Sequence, residues 1–298
     1  MPVGVAHAGF QLLEADRADF LALMRETYGR AISPAEFDWW FDRNPIGPRI
    51  LTEARDDNGQ PLGVLGMSFL RTSRGLASFS LHAVTAPLAR GRGVFSALEL
   101  HNEELAAAAG ATWALGFTNP LAGPILVGKL GWEDVTSLRV WAHPKRLRRT
   151  GAGRLLVEPS VQPFAGEAPS LPGHHVIRDS TYLDWRYVDS PRPYVRFGGA
   201  DGWAVVTHAV WHGMSCAVVC DAVGRAKGRL LRECVLAVDA DVAVAMVNPG
   251  EERTYLTAGF VPTWRTIRFI GKRLSEDAPE LPKRRRDWYL TFGDVDFF

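Results

Sequence analysis

Arg90-Gly91-Arg92-Gly93 lies between an apolar run ending in Thr85-Ala86-Pro87 and an amphipathic stretch opening with Val94-Phe95. Glycines at a strand-to-helix turn let several backbone N–H groups point at one spot, where the helix dipole favours negative charge. The two arginines add positive charge. The chemistry this suggests is binding of a phosphate or diphosphate, with a plain tight turn as the alternative. The segment has neither the Lys-Ser/Thr of a nucleoside-triphosphate loop nor the six-residue glycine fingerprint that opens a βαβ unit. His82 is a candidate general base, because a histidine titrates near neutral pH. Strand alternation places Ser78, Ser80, His82 and Val84 on one face; a hydrogen-bonded structural histidine is the alternative. Near the chain end, Asp294 and Asp296 alternate with apolar residues before Phe297-Phe298. Such an ending docks rather than frays, so these acids or the terminal carboxylate could line a cavity between two halves of the chain. A final edge strand would look the same.

Other polar groups carry less. His208 and His212 share a face of a strand-like run but lack a third ligand, and Cys216 and Cys220 have no second pair, so no metal site is expected. His174-His175 falls in a Gly/Pro-rich stretch and reads as solvent-exposed.

The elements that must position these groups follow from periodicity and punctuation. Residues 11–42 read as helical through Leu12, Leu13, Phe20, Leu21, Leu23 and Met24, with Ser33-Pro34 as an N-cap and first helical residue. Strands are expected at 50–55, 62–71 and 76–85, a helix at 94–109, a buried strand at 111–117 and a short helix at 121–130 stopped by Gly131. On the long helix, Phe95, Leu98, Leu105 and alanines read as the buried side and Glu99, Glu103 and Glu104 as the others. The basic run Lys145–Arg149, the Pro/Gly-rich stretch after it and the basic Lys283–Arg286 read as solvated loop. Landmarks then recur in order. Asp38-Trp39 precedes Pro45 as Asp184-Trp185 precedes Pro191, and Asn119 precedes Gly131-Trp132 as Asn248 precedes Gly259-Phe260. This reads as a duplication with a second copy shortened where the first carries its Gly/Arg loop and long helix. The expected organisation is a domain over 1–142, a linker over 143–173 and a degenerate domain with a tail over 174–298. Trp39 and Trp185 are expected in the core.

The order of a strand, Thr85-Ala86-Pro87, Arg90-Gly91-Arg92-Gly93-Val94 and an amphipathic helix resembles the acyl-CoA loop of the GCN5-related N-acyltransferase superfamily. The strand ending at Asn119, a short helix and Leu130-Gly131-Trp132 resemble its second landmark. Phe95 departs from the family's last small position. The resemblance implies a tandem α/β (α+β) protein whose two domains each have a mixed, mostly antiparallel sheet flanked by helices. It implies acetyl-CoA or another acyl-CoA as acyl donor, held at Val84, Thr85, Arg90, Gly91, Arg92, Gly93, Val94, Phe95 and Asn119. It places a base on the strand of His82 and acceptor contacts at Trp40, Arg43 and Asn44. The family's acid, a tyrosine four residues before the glycine, is Val127 in the first copy and Tyr255 in the second. Tyr255 is either a relic in the core or an aid to the first site.

Composition bounds the rest. With 47% hydrophobic and 22% charged residues the chain is globular rather than disordered. Its formal net charge of +1 argues against a nucleic-acid or anionic-membrane partner. No secretory leader or membrane-length apolar run is read, and the odd cysteine count rules out a disulfide framework. The expectation is a cytoplasmic monomer or homodimer that transfers an acyl group to a primary amine of a small molecule, such as an amino sugar or specialised metabolite. The alternatives are a non-catalytic acyl-CoA-binding or scaffold protein and an acyltransferase using a longer-chain or carrier-protein thioester.

Overall fold

The computed structural model describes residues 5–7, 9–29, 31–145, 154–158, 160–164, 168–199, 201–211 and 213–295. The chain forms two compact units, residues 1–134 with 270–281 and residues 135–269 with 282–298. This division differs from the linear one expected at 142, because each unit includes a segment from the far part of the chain.

In the first unit, strands β1 (Val5–His7) and β2 (Phe10–Glu14) form a hairpin, and β2 pairs on with the next strand. Residues 11–14 are therefore strand and not helix: Phe10 and Leu12 are buried with the exposed Gln11 between them, an alternation that ends at the exposed Glu14. Helix α1 (Arg17–Tyr28) starts where the Asp16 side chain accepts from the Asp19 amide and stops at Gly29, whose φ of 70° suits glycine. Ser33 and Glu36 make a capping box around the single turn α2 (Pro34–Phe37), with proline in its first turn. The chain continues as a π-helical turn over Asp38–Asp42, which buries Trp39, Trp40 and Phe41. Strands β3 (Ile50–Arg55), β4 (Pro61–Thr72) and β5 (Gly75–Thr85) form an antiparallel meander within a residue of the expected positions. Helix α3 (Val94–Ala108), strand β6 (Trp113–Thr118) and helix α4 (Gly123–Lys129) follow. The sheet order is β1-β2-β3-β4-β5-β6, and the segment Ile270–Arg273 completes it beside β6.

The buried side of α3 is not the expected one. Leu105 is 40% exposed, whereas Glu99 and Asn102 are fully buried and Glu103 nearly so. Asn102 accepts from Thr52 Oγ1 at 2.5 Å and donates to the Leu65 carbonyl at 3.0 Å. Strands distant in sequence thus supply the partners that allow polar residues inside.

The second unit repeats this succession. Strand β7 (Glu133–Pro144) leads in, and the two-residue β8 (Arg154–Leu155) pairs with β12 (Val238–Asp239). The single turn α5 (Ser180–Leu183) again runs into a π-helical turn, Asp184–Val188, which buries Trp185. Strands β9 (Tyr194–Gly199), β10 (Gly202–Trp211) and β11 (Met214–Gly224), helix α6 (Lys227–Leu236), strand β13 (Val242–Met246), helix α7 (Glu252–Thr257) and strand β14 (Val261–Arg273) complete it. The order here is β14-β7-β13-β11-β10-β9. Much of the stretch expected as linker is part of this unit: β7 extends to Pro144, β8 pairs with β12, and the Ser160 amide donates to the Tyr194 carbonyl at 3.1 Å. The basic run from 146 onward lies outside the described residues. His174 and His175 are half-buried rather than exposed, and His174 bridges to Trp288.

A tight approach in the first unit tests this packing. A β-carbon at Gly66 would lie 2.3 Å from Cε1 of Phe41. Gly66→Ala is expected to destabilise the protein by about 1–3 kcal/mol, as overpacked cores do, read as a lower urea midpoint at unchanged slope.

Candidate functional site

Strands β5 and β6 are parallel but pair over three residues only, Ala77 with Trp113, Ser78 with Ala114 and Phe79 with Leu115. Strand β5 runs on to Thr85 and β6 to Thr118 without further pairing to each other. The strands part at Ser80, and a wedge opens whose edges carry backbone donors and acceptors. An extended ligand with amide groups can complete such edges as a strand would.

At the wedge β5 is bulged. Val64 pairs with Val84 and Gly66 with Leu81, so His82 and Ala83 together stand opposite Leu65. Among the described residues His82 is the one non-glycine with positive φ, 52°. The bulge resets the alternation expected along β5. Ser80 donates to the carboxyl of Glu99 on α3 at 2.9 Å. His82 instead lies among Phe20 of α1 and Trp40 and Phe41 of the π turn, at centroid distances of 6.4, 6.3 and 6.2 Å. Trp40 is thus a buried wall beside His82, with its ring tilted by 46° against Trp39 at a centroid distance of 4.5 Å. Tyr28, the last residue of α1, donates its phenol to the Ala83 carbonyl at 3.2 Å. Nothing in the local sequence marks Tyr28, because its partner is far along the chain.

Beyond Thr85 a 3-10 turn, Pro87–Ala89, leads into Gly91 and Gly93, with φ of 77° and 82°. A β-carbon at either glycine would meet nothing within 4 Å, so the loop is an open cradle. Gly93 is the N-cap of α3 and supplies no side-chain cap. The first-turn amides after it have no acceptor inside the helix. Arg90 and Arg92 are exposed beside them. Val94 is buried, and Phe95 packs on the cluster of Ala114, Leu126, Leu130, Trp132 and Ile270, together with Val127.

Two expected contact residues are occupied otherwise. Asn119 closes the turn that leads into α4 by accepting from the Leu121 and Ala122 amides, both at 2.9 Å. Asn44 holds its own loop: its amide donates to Ser68 Oγ at 2.5 Å and to the Phe69 carbonyl at 3.0 Å, while its oxygen accepts from the Ile46 amide at 2.8 Å. Arg43 caps the π turn and is exposed.

Under the wedge lies a buried acid pair that helical periodicity placed on the outside. Glu103 accepts from Trp132 Nε1 at 2.6 Å and pairs with Lys272 Nζ at 2.5 Å. Glu99 is pushed up to about 8, chiefly by burial and then by the Glu103 charge.

The second unit holds a parallel pair of the same kind, β11 with β13, joined over Cys216–Val218 and Val242–Val244. Here residues 285–294 span the parting strands. The Leu290 amide donates to Asn248 Oδ1 at 2.9 Å, Arg285 donates to the same oxygen at 2.8 Å, and the Tyr289 hydroxyl donates to the Ala222 carbonyl at 3.2 Å. Asp294 is buried in an ion pair with Arg178 at 2.9 Å, and Arg178 also pairs with Asp221 at 2.9 Å. Asp294 is therefore tied up in this unit's interior rather than free in a cavity; Asp296 lies outside the described residues, as does His212. The glycine loop has no counterpart, since only Arg225 and Ala226 separate β11 from α6. Tyr255 is buried against Phe260 in the core, and burial raises its phenol well above the usual range. The thiols of Cys216 and Cys220 are likewise raised by burial, to about 11 and about 12. Among the described residues no group of three or more His, Cys, Asp or Glu could hold a metal ion, and no helix is long and apolar enough to cross a membrane.

No protein-family profile matches the chain, and no curated protein matches it in sequence. Solved structures do match its fold. A GCN5-related N-acetyltransferase from Anabaena variabilis ATCC 29413 aligns with a TM-score of 0.58 at 13% identity, over 89% of this chain and 73% of that one. A candidate acetyltransferase from Pyrococcus horikoshii aligns with a TM-score of 0.60 at 11% identity, over 98% and 96%. Eis1 from Mycobacterium abscessus aligns with a TM-score of 0.55 at 15% identity, over 90% and 74%.

The buried acid pair generates a pH prediction. Folded Glu99 keeps its proton up to about 8, whereas its unfolded value is near 4.5. Between these values the folded state binds the extra proton, so Glu99 costs stability progressively as pH rises through this window, by at most about 1.4 kcal/mol per unit. Glu99→Gln is expected to raise the melting temperature more at pH 8 than at pH 5, measured by thermal unfolding at both.

Proposed function

We propose that this chain, which has the fold of the GCN5-related N-acetyltransferases, is an acyl-CoA-dependent N-acyltransferase whose working site lies in the first unit. One observation carries the reading: a parallel strand pair parts after three residues, directly before an open cradle of two left-handed glycines at a helix N-terminus. The wedge suits an amide-bearing pantetheine arm, and the cradle with Arg90 and Arg92 suits a diphosphate. These two chemistries occur together in coenzyme A. The bound thioester would supply an acyl carbon open to direct attack.

The chain's own residues then have defined tasks. Backbone groups of Val84 and Thr85 align the arm, and the amides of Gly91, Gly93, Val94 and Phe95 receive the diphosphate. His82, on the bulge, accepts the proton that an attacking primary amine releases, directly or through one water. The new C–N bond forms as the C–S bond breaks, and the departing thiolate takes its proton from water, because the position used elsewhere in the fold for an acid is the apolar Val127. Arg43, exposed at the end of the π turn, is assigned to contact the acceptor. The neutral overall charge favours a small amine over a nucleic-acid or membrane partner, and acetyl-CoA is the simplest donor. The second unit takes no part in chemistry: its own chain fills the corresponding opening, and Tyr255 is a core residue. The apolar Val127 also supports a second reading, an acyl-CoA binder without turnover.

Calorimetric titration with acetyl-CoA is expected to show one site per chain, lost in Gly93→Asp, because the new carboxylate points into the space meant for a diphosphate. Normal binding by that variant would remove the loop assignment. Thiol release with a panel of primary amines separates enzyme from binder. In an active pair, His82→Ala is expected to lower turnover roughly 10²–10⁴-fold, and an unchanged pH–rate profile would move the base elsewhere.

A further inference from the structure

The bulge in β5 is an expensive shape. His82 carries a β-carbon at a φ of 52°, a conformation that costs about 1–3 kcal/mol and persists only where the surroundings over-determine it. Two restraints are visible. One is the aromatic wall of Phe20, Trp40 and Phe41 around the His82 ring. The other is a hydrogen bond from the Tyr28 hydroxyl to the carbonyl of Ala83, the second residue of the bulge.

Tyr28 is 54% exposed, so its ring contributes little to the core. The helix that delivers it is well anchored. Its other end is capped by Asp16, its middle buries Phe20, Leu23 and Met24, and Asp19 pairs with Arg55 at 2.5 Å. A short, fixed lever therefore brings one phenol to the residue that follows the strained His82, on the stretch of β5 that has left β6 and edges the wedge.

We propose that Tyr28 is a positioning residue, whose hydrogen bond to Ala83 holds the bulge in the shape that grips the acyl carbonyl of a bound thioester. This rests on the acyltransferase reading above. It assigns Tyr28 to recognition of the acyl group rather than of coenzyme A as a whole, because the diphosphate cradle is built separately by Gly91 and Gly93.

The test needs no acceptor. Acetyl-CoA and free CoA share every contact except those of the acetyl group. The wild-type protein is expected to bind acetyl-CoA about tenfold more tightly than CoA, the worth of a hydrogen bond or so. Tyr28→Phe keeps the ring and removes the donor; it is expected to bind CoA as before and to lose the preference for acetyl-CoA, at an unchanged melting temperature. Overturning results are a Tyr28→Phe protein that keeps the preference, one that loses CoA to the same degree, or a wild type with no preference. A wild type that binds neither compound would instead bring down the acyltransferase reading, and this assignment with it.

Discussion

A parallel strand pair that parts after three residues leaves backbone groups with no ladder partner, and much of this molecule answers that constraint. Unpaired N–H and C=O groups away from water cost about 1–3 kcal/mol each, so such a wedge must be wetted, filled by a ligand or filled by chain. The two units differ in the answer. In the first the two strands part with a bulge on one edge, and two left-handed glycines follow beyond it. In the second, the chain itself lies along the opening: the Tyr289 hydroxyl donates to the Ala222 carbonyl, the Leu290 amide to Asn248 Oδ1 and the Thr291 hydroxyl to Asp221 Oδ1. The two units thus share a parting parallel strand pair and differ in what lies beside it.

Filling the second opening brings charge inside. Arg178 and Arg186 are buried with Asp221 and Asp294, and every guanidinium group there has oxygen partners. Breaking one member of such a network is far worse than never having built it, so the tail is bound to the unit by more than apolar area. The buried pair Glu99–Glu103 in the first unit is different. Glu103 has Lys272 and Trp132, while Glu99 has one serine and stays protonated near neutrality. A polar, proton-holding spot therefore sits at the apex of the wedge, on the α3 side of β5.

The exchange of segments explains why a linear division of the chain does not match its units. Strand β7 pairs with β13 in the second unit, while Ile270–Leu281 is built into the first, where Lys272 meets Glu103 and the Pro279 carbonyl accepts from Trp113 Nε1. Neither unit is made from one continuous stretch.

Short-range features were readable from residue order. The Ser33-Pro34 cap, the meander from β3 to β5, the start of α3 at Val94 and the left-handed Gly91, Gly93 and Gly131 depend on propensity, periodicity and turn chemistry within a few residues. So did the recurring Asp-Trp and Gly-aromatic landmarks. The remainder required the tertiary structure. Glu99 and Glu103 occupy a helix face that periodicity assigns to solvent, because Ser80, Trp132 and Lys272 come from elsewhere. Strand alternation missed the bulge, since a two-for-one register exists only between paired strands. Asn44 is spent on Ser68 and Phe69, Asp294 on Arg178, and Tyr28 gains its meaning only from Ala83. In each case the partner that decides the side chain's role is brought close by folding, and no local pattern encodes it.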